Sequence, residues 1–103
     1  MIQIKKKLKK ALESKDEILI ATYDGGNDSG AVILEEWIIK KGILTEDEEE
    51  ELLSKIEDIL DYGSWSWDGS ANGEVFFTKK GYIKVEGSES YEEWKNVKKL
   101  EKL

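Results

Sequence analysis

The chain has 103 residues, 39% of them hydrophobic, and a formal net charge of −7, which suits one domain with a single core and is too short for two. It contains no histidine and no cysteine, which excludes disulfides, thiolate metal sites, thiol nucleophiles, the Ser-His-Asp and Cys-His arrangements and the usual general base near neutral pH. All 16 basic residues are lysine, so bidentate guanidinium recognition is missing, and the acidic balance argues against general binding to phosphate backbones.

Ile4, Leu8, Ala11 and Leu12 recur at the spacing of one helical face, with lysines at most other positions, and predict an amphipathic basic first helix. No apolar segment of signal-peptide length follows this basic start, and no apolar run exceeds four residues, the one at residues 31–34 stopping at Glu35 and Glu36. That is far short of the roughly 20 residues of a membrane span. A cytoplasmic protein without membrane contact is the expectation. Residues 18–23 form a short, partly β-branched apolar run ending at Asp24 and Gly25, read as a buried strand entering a turn. Residues 32–39 are read as its hairpin partner, with Glu35-Glu36 marking a bulge, an edge or the end of the buried part.

Thr45 and Glu48 have capping-box spacing at the start of a predicted helix over 46–62, whose apolar face is Leu52, Leu53, Ile56, Ile59 and Leu60, with Gly63 as a C-terminal cap. Residues 74–78 and 82–86 flank Lys79, Lys80 and Gly81 and read as a second hairpin. Ser90 and Glu93 repeat the capping spacing, and Tyr91, Trp94, Val97 and Leu100 then predict a terminal helix. The expected architecture is a single α+β domain over 1–103 in the order α-β-β-α-β-β-α, with helices on one face of a mainly antiparallel sheet.

Two glycine-rich, acid-bearing segments, 24–30 and 63–73, hold six of the nine glycines and are the candidate site. Asp24, Asn27 and Asp28 offer oxygen ligands to a hard divalent cation, without the register of an EF-hand, and Asp68 joins them if the segments meet. The same side chains serve equally to close a turn around glycines of positive φ. Ser29 sits among residues 26–30 as a nucleophile would, but no histidine is present to activate it, and a turn role fits it better. Trp65 and Trp67, separated by one serine, point to the same side of an extended segment and would stack on a ligand, anchor a partner or cap the core, with Asp68 and Asn72 as neighbouring polar groups. No catalytic residue is assigned, no cofactor is expected beyond a possible divalent cation, and the chain is read as a non-enzyme.

Charge is segregated: residues 1–20 carry six lysines against three acids, and residues 35–61 carry eleven acids against three lysines. Glu46, Asp47, Glu49 and Glu50 form an acidic face suited to a partner protein with a basic surface, although acids at a helix start also favour folding. The residue string Tyr23 to Gly30, followed by the segment from Trp65 to Gly73, resembles a small bacterial and phage domain family with a glycine-rich Asp-Ser-Gly hairpin and a later Trp/Gly loop. The resemblance covers about residues 18–86, supports the architecture and brings no established activity. The leading expectation is a small acidic protein-binding or inhibitory module, in character like phage inhibitors of host defence. The alternatives are a small-ligand or divalent-metal-binding domain built on the two segments, and a designed or redesigned scaffold without natural activity, suggested by the joint absence of Pro, Cys, His and Arg.

Overall fold

The computed structural model describes residues 2–26, 29–60, 70–90 and 94–103. Helices α1 (Ile2–Leu12), α2 (Glu36–Lys40) and α3 (Glu46–Leu60) accompany strands β1 (Glu17–Gly26), β2 (Ser29–Leu34), β3 (Ser70–Thr78), β4 (Tyr82–Ser90) and β5 (Trp94–Lys102). The strands form one antiparallel sheet in the order β2-β1-β3-β4-β5. The α+β class is as expected from the sequence.

Alternation along the strands decides which face is covered. Tyr23, Leu34, Ala71, Val75, Phe77, Ile83 and Val85 share one buried core with Ile4, Leu8 and Leu12 of α1, Ile38 of α2 and Leu52, Ile56 and Leu60 of α3. The residues out of phase with them, among them Thr22, Asp24, Asn72, Glu74, Phe76, Lys84, Glu86 and Ser88, are exposed or half-buried on the other face. A bulge between Leu19 and Ala21 puts both Ile20 and Ala21 in the core and resets the phase of β1.

Two elements differ from the sequence reading. The predicted partner strand over 32–39 ends at Leu34, and Glu36–Lys40 is a helical turn instead. Gly42, at φ 60, donates its N–H to Ile39 O, and Ile43 donates to Ile38 O, both at 3.2 Å, which is the Schellman arrangement that closes a helix. The Trp37 indole N–H donates to Leu19 O at 2.8 Å and satisfies a carbonyl where β1 extends beyond its pairing with β2.

The predicted terminal helix is the second correction. Residues 94–102 form β5, in register with β4 from Ser90↔Trp94 to Tyr82↔Lys102; Tyr91 lies outside the described residues. The three-residue spacing of Trp94, Val97 and Leu100 suits a helix, but propensity is a weak prior, and this segment pairs the whole outer edge of β4. Lys99 Nζ also donates to Ile59 O at 2.9 Å, placing a cation at the end of α3, whose last turn has no basic residue of its own.

The capping box at the start of α3 forms as read. Glu48 N–H donates to Thr45 Oγ1 at 3.2 Å, and Thr45 N–H donates to Glu48 Oε1 at 2.9 Å. Lys7 Nζ donates to the same Glu48 oxygen, joining α1 to α3. Thr45→Ala should therefore cost about 1 kcal/mol in urea unfolding. The hydrogen bond from Lys7, followed by that from the Thr45 backbone, holds the Glu48 carboxyl below the ordinary glutamate range. Because the folded-state pKa is depressed, this contribution is complete above the ordinary glutamate pKa and is lost as pH falls through the lower folded value. Urea midpoints measured from pH 7 down to pH 3 should fall less steeply for Glu48→Gln than for the parent chain.

Candidate functional site

The described parts of the two glycine-rich segments, residues 24–26, 29–30 and 70–73, meet as strands rather than loops. Tyr23↔Gly73, Asp24↔Asn72, Gly25↔Ala71 and Gly26↔Ser70 are direct partners between β1 and β3, while Asp24↔Ala31, Gly25↔Gly30 and Gly26↔Ser29 pair β1 with β2. Asp24, Ser29 and Asn72 thus belong to one end of the sheet. Positive φ occurs not at Gly25 or Gly73 but at Gly42 and Gly81. Asn27, Asp28, Trp65, Trp67 and Asp68 lie outside the described residues.

On the uncovered face the register sets out parallel rows of side chains. Ile33, Thr22, Glu74, Glu86 and Lys98 are successive cross-strand partners, and Ala31, Asp24, Asn72 and Ser88 form the next row. Between the rows lie Tyr23, Gly73 and Gly87, whose side-chain positions face the covered side, so that only their backbone forms the floor here. The result is a depression of about 690 Å³ bounded by Thr22, Asp24, Ala31, Ile33, Asn72, Glu74 and Glu86. No described helix covers it.

Among the described residues, three carboxylates and no lysine line this depression. Asp24 and Glu74 make no ion pair among the described residues, and Glu74 stands directly across from Glu86, a like-charge cross-strand pair that costs stability. Glu86 is partly neutralised by Lys84 at 3.3 Å and Lys98 at 3.8 Å. Lys84 is committed elsewhere too: it pairs with Glu17 and lies 5.0 Å from the centre of the Phe76 ring. Its hydrogen bond to Glu17 raises its pKa against the opposing effect of desolvation, so it stays charged well above neutral pH. The depression therefore offers negative charge, the Thr22 and Asn72 polar groups and the exposed Ile33 side chain. That set can hold a cation or an amphipathic cationic segment. Among the described residues, no three acids gather closely enough to share one metal ion.

The acidic helix start belongs to a different surface. Glu46, Asp47 and Glu50 are exposed and Glu49 is half-buried, but α3 lies over the covered face of the sheet, with Leu52, Ile56 and Leu60 in the core. The sequence reading missed Glu74, Glu86, Thr22 and Ile33. Hairpin arithmetic held the signal for the two glutamates: Phe77↔Ile83 fixes Glu74↔Glu86, and both are out of phase with the buried Val75 and Val85. Compared with known proteins, the chain matches no family model, no curated protein and no solved structure.

Proposed function

We propose that this chain is a non-catalytic binding module that receives a basic segment of a partner protein on the uncovered face of its sheet. The observation that carries this reading is the depression between β1, β3 and β4, where Asp24 and Glu74 stand without a counter-charge among the described residues. Sheet surfaces gain nothing from facing glutamates, and departures from local rules of this kind concentrate where a surface serves a partner. Small-molecule sites bury most of their ligand, whereas this surface is open, which favours a chain segment over a compact ligand. Charge complementarity would then supply orientation and a fast, salt-sensitive encounter. An inhibitory role against a host protein, in keeping with the resemblance to bacterial and phage domains, is one form of the same reading.

The test is an NMR titration of the labelled protein with a lysine-rich peptide and with its glutamate counterpart. The basic peptide alone should shift the amides of Thr22, Asp24, Asn72 and Glu74. The triple variant Asp24→Asn/Glu74→Gln/Glu86→Gln should bind at least about tenfold more weakly, equivalent to about 1.4 kcal/mol. Shifts confined to Glu46, Asp47, Glu49 and Glu50 would transfer the partner surface to α3, and equal responses to both peptides would overturn the reading.

A further inference from the structure

The two edges of the sheet are built differently. β5 carries Lys95, Lys98, Lys99, Glu101 and Lys102 along one outer edge, the charged pattern that keeps an edge strand from pairing with other chains. β2, at the other edge, is Ser29–Leu34 and has no charged residue at all. Among the described strands it pairs with β1 alone.

The phase of that pairing shows what the free side of β2 presents. Glu35 N–H donates to Ile20 O at 2.9 Å, and antiparallel ladders alternate hydrogen-bonded with non-hydrogen-bonded pairs. Thr22↔Ile33 and Asp24↔Ala31 are then the hydrogen-bonded pairs of the same register. Gly30, Val32 and Leu34 consequently turn their N–H and C=O groups outward, and no described element hydrogen-bonds to them. These donors and acceptors are spaced for an additional strand.

We propose that the partner segment adds to the sheet as a strand along the free edge of β2, with a cationic side chain passing over Ala31 to Asp24. This deepens the proposed function and rests on it. Ala31 is the direct partner of Asp24, so only a methyl group stands between an added strand and that carboxylate. Such a strand would lie two strand spacings, about 10 Å, from β1, a span that an extended lysine or arginine and an aspartate bridge between them. Two residues along the same face, Ile33 is 63% exposed and offers an apolar contact. The edge is thus suited to a segment with a cation and an apolar residue at alternate positions, which is the strand period. A second copy of this chain fits the site poorly. Its own β2 would bring no cation to Asp24, and its approach would set two chains of net charge −7 side by side.

The experiment compares a peptide of alternating lysine and valine on one face with the same peptide N-methylated on the amides that would face β2. N-methylation leaves the charge intact and removes the strand hydrogen bonds. The parent peptide should bind and raise hydrogen-exchange protection at Val32 and Leu34, and the methylated peptide should bind at least about tenfold more weakly. Asp24→Asn should weaken the parent peptide as well. Equal affinity of both peptides, each lost in the triple carboxylate variant, would overturn strand addition while leaving the acidic depression as the binding surface. Unchanged affinity of the parent peptide for the triple variant would overturn the acidic reading itself, and with it this proposal. Sedimentation equilibrium showing a dimer that dissociates on Ile33→Lys would assign the edge to a second copy and overturn the proposal too.

Discussion

Phe77→Ala is expected to lower the unfolding free energy by about 4 kcal/mol, the largest effect of any single truncation considered. Phe77 is fully buried and lies in register with Ile18 on β1 and Ile83 on β4, on the central strand of the sheet's covered face. Removing its ring takes away transfer energy and leaves a cavity that neighbouring strands, held by their ladders, close only in part. Against a typical total of roughly 5–15 kcal/mol, the loss is a large share of the stability of the whole domain. The measurement is urea unfolding with the slope compared alongside the midpoint, since an unchanged slope locates the effect in the native state. Phe76→Ala is the control. Phe76 is half-buried on the opposite face beneath Lys84, and its truncation should cost about 1 kcal/mol. Because strands have a period of two, a one-residue slip would exchange these outcomes, so similar losses at both positions would contradict the register described above.

The elements that sequence reading located are those in which pattern and packing agree. The stripe Ile4, Leu8 and Leu12 and the stripe Leu52, Ile56 and Leu60 are buried as their spacing requires, and the Thr45–Glu48 box forms with both reciprocal hydrogen bonds. The failures share another cause. Trp94, Val97 and Leu100 recur with helical spacing, yet their segment becomes a strand because the ladder partner is β4, distant from any local pattern. Residues 36–40 look like the continuation of an apolar strand, and only Glu36, paired with Lys40 at 3.3 Å, and the cap at Gly42 betray a helical turn.

The candidate site was legible in part. Composition singled out the segments containing Asp24 and Asn72, and the two residues are direct cross-strand partners. Glycine content led to a reading as loops, whereas most of the described glycines there are extended. What could not be read locally is the role of Tyr23, since its significance lies in two glycines of other strands. Glu74 and Glu86 are ordinary surface residues in a strand pattern until the hairpin register places them face to face. A site made by adjacency between strands leaves its mark in pair distances rather than in any contiguous motif.

Gly87→Ala carries the second large expected effect, about 3 kcal/mol of destabilisation. A Cβ there would lie 2.2 Å from the Tyr23 hydroxyl oxygen, 2.4 Å from Asn72 O and 2.9 Å from the Gly73 Cα. At Gly73 it would meet Glu86 O at 2.5 Å, the Gly87 Cα at 2.6 Å and the Tyr23 hydroxyl oxygen at 2.7 Å. Neither glycine has positive φ, so the cost arises from volume. The Tyr23 side chain, only 4% exposed, extends across Gly73 to Gly87 and supplies the packing that two glycines in adjacent strands lack. The gain from restricting the unfolded chain, roughly 0.4–1 kcal/mol, is too small to offset the clash. Combining Gly87→Ala with Tyr23→Phe should restore only part of the loss, because the contact with Asn72 O is backbone and persists. The same substitution should also weaken the basic peptide, since the glycines line the depression between Asn72 and Glu86 and the strands must separate to admit a methyl group. Gly42→Ala separates the two effects: with φ 60 and nothing within 4 Å of its Cβ, it should cost about 1–2 kcal/mol through backbone strain alone and leave peptide affinity unchanged. Thermal unfolding and peptide titration of the three variants check this together, and a Gly87→Ala protein with parental stability would show that Tyr23 does not hold the strands so closely.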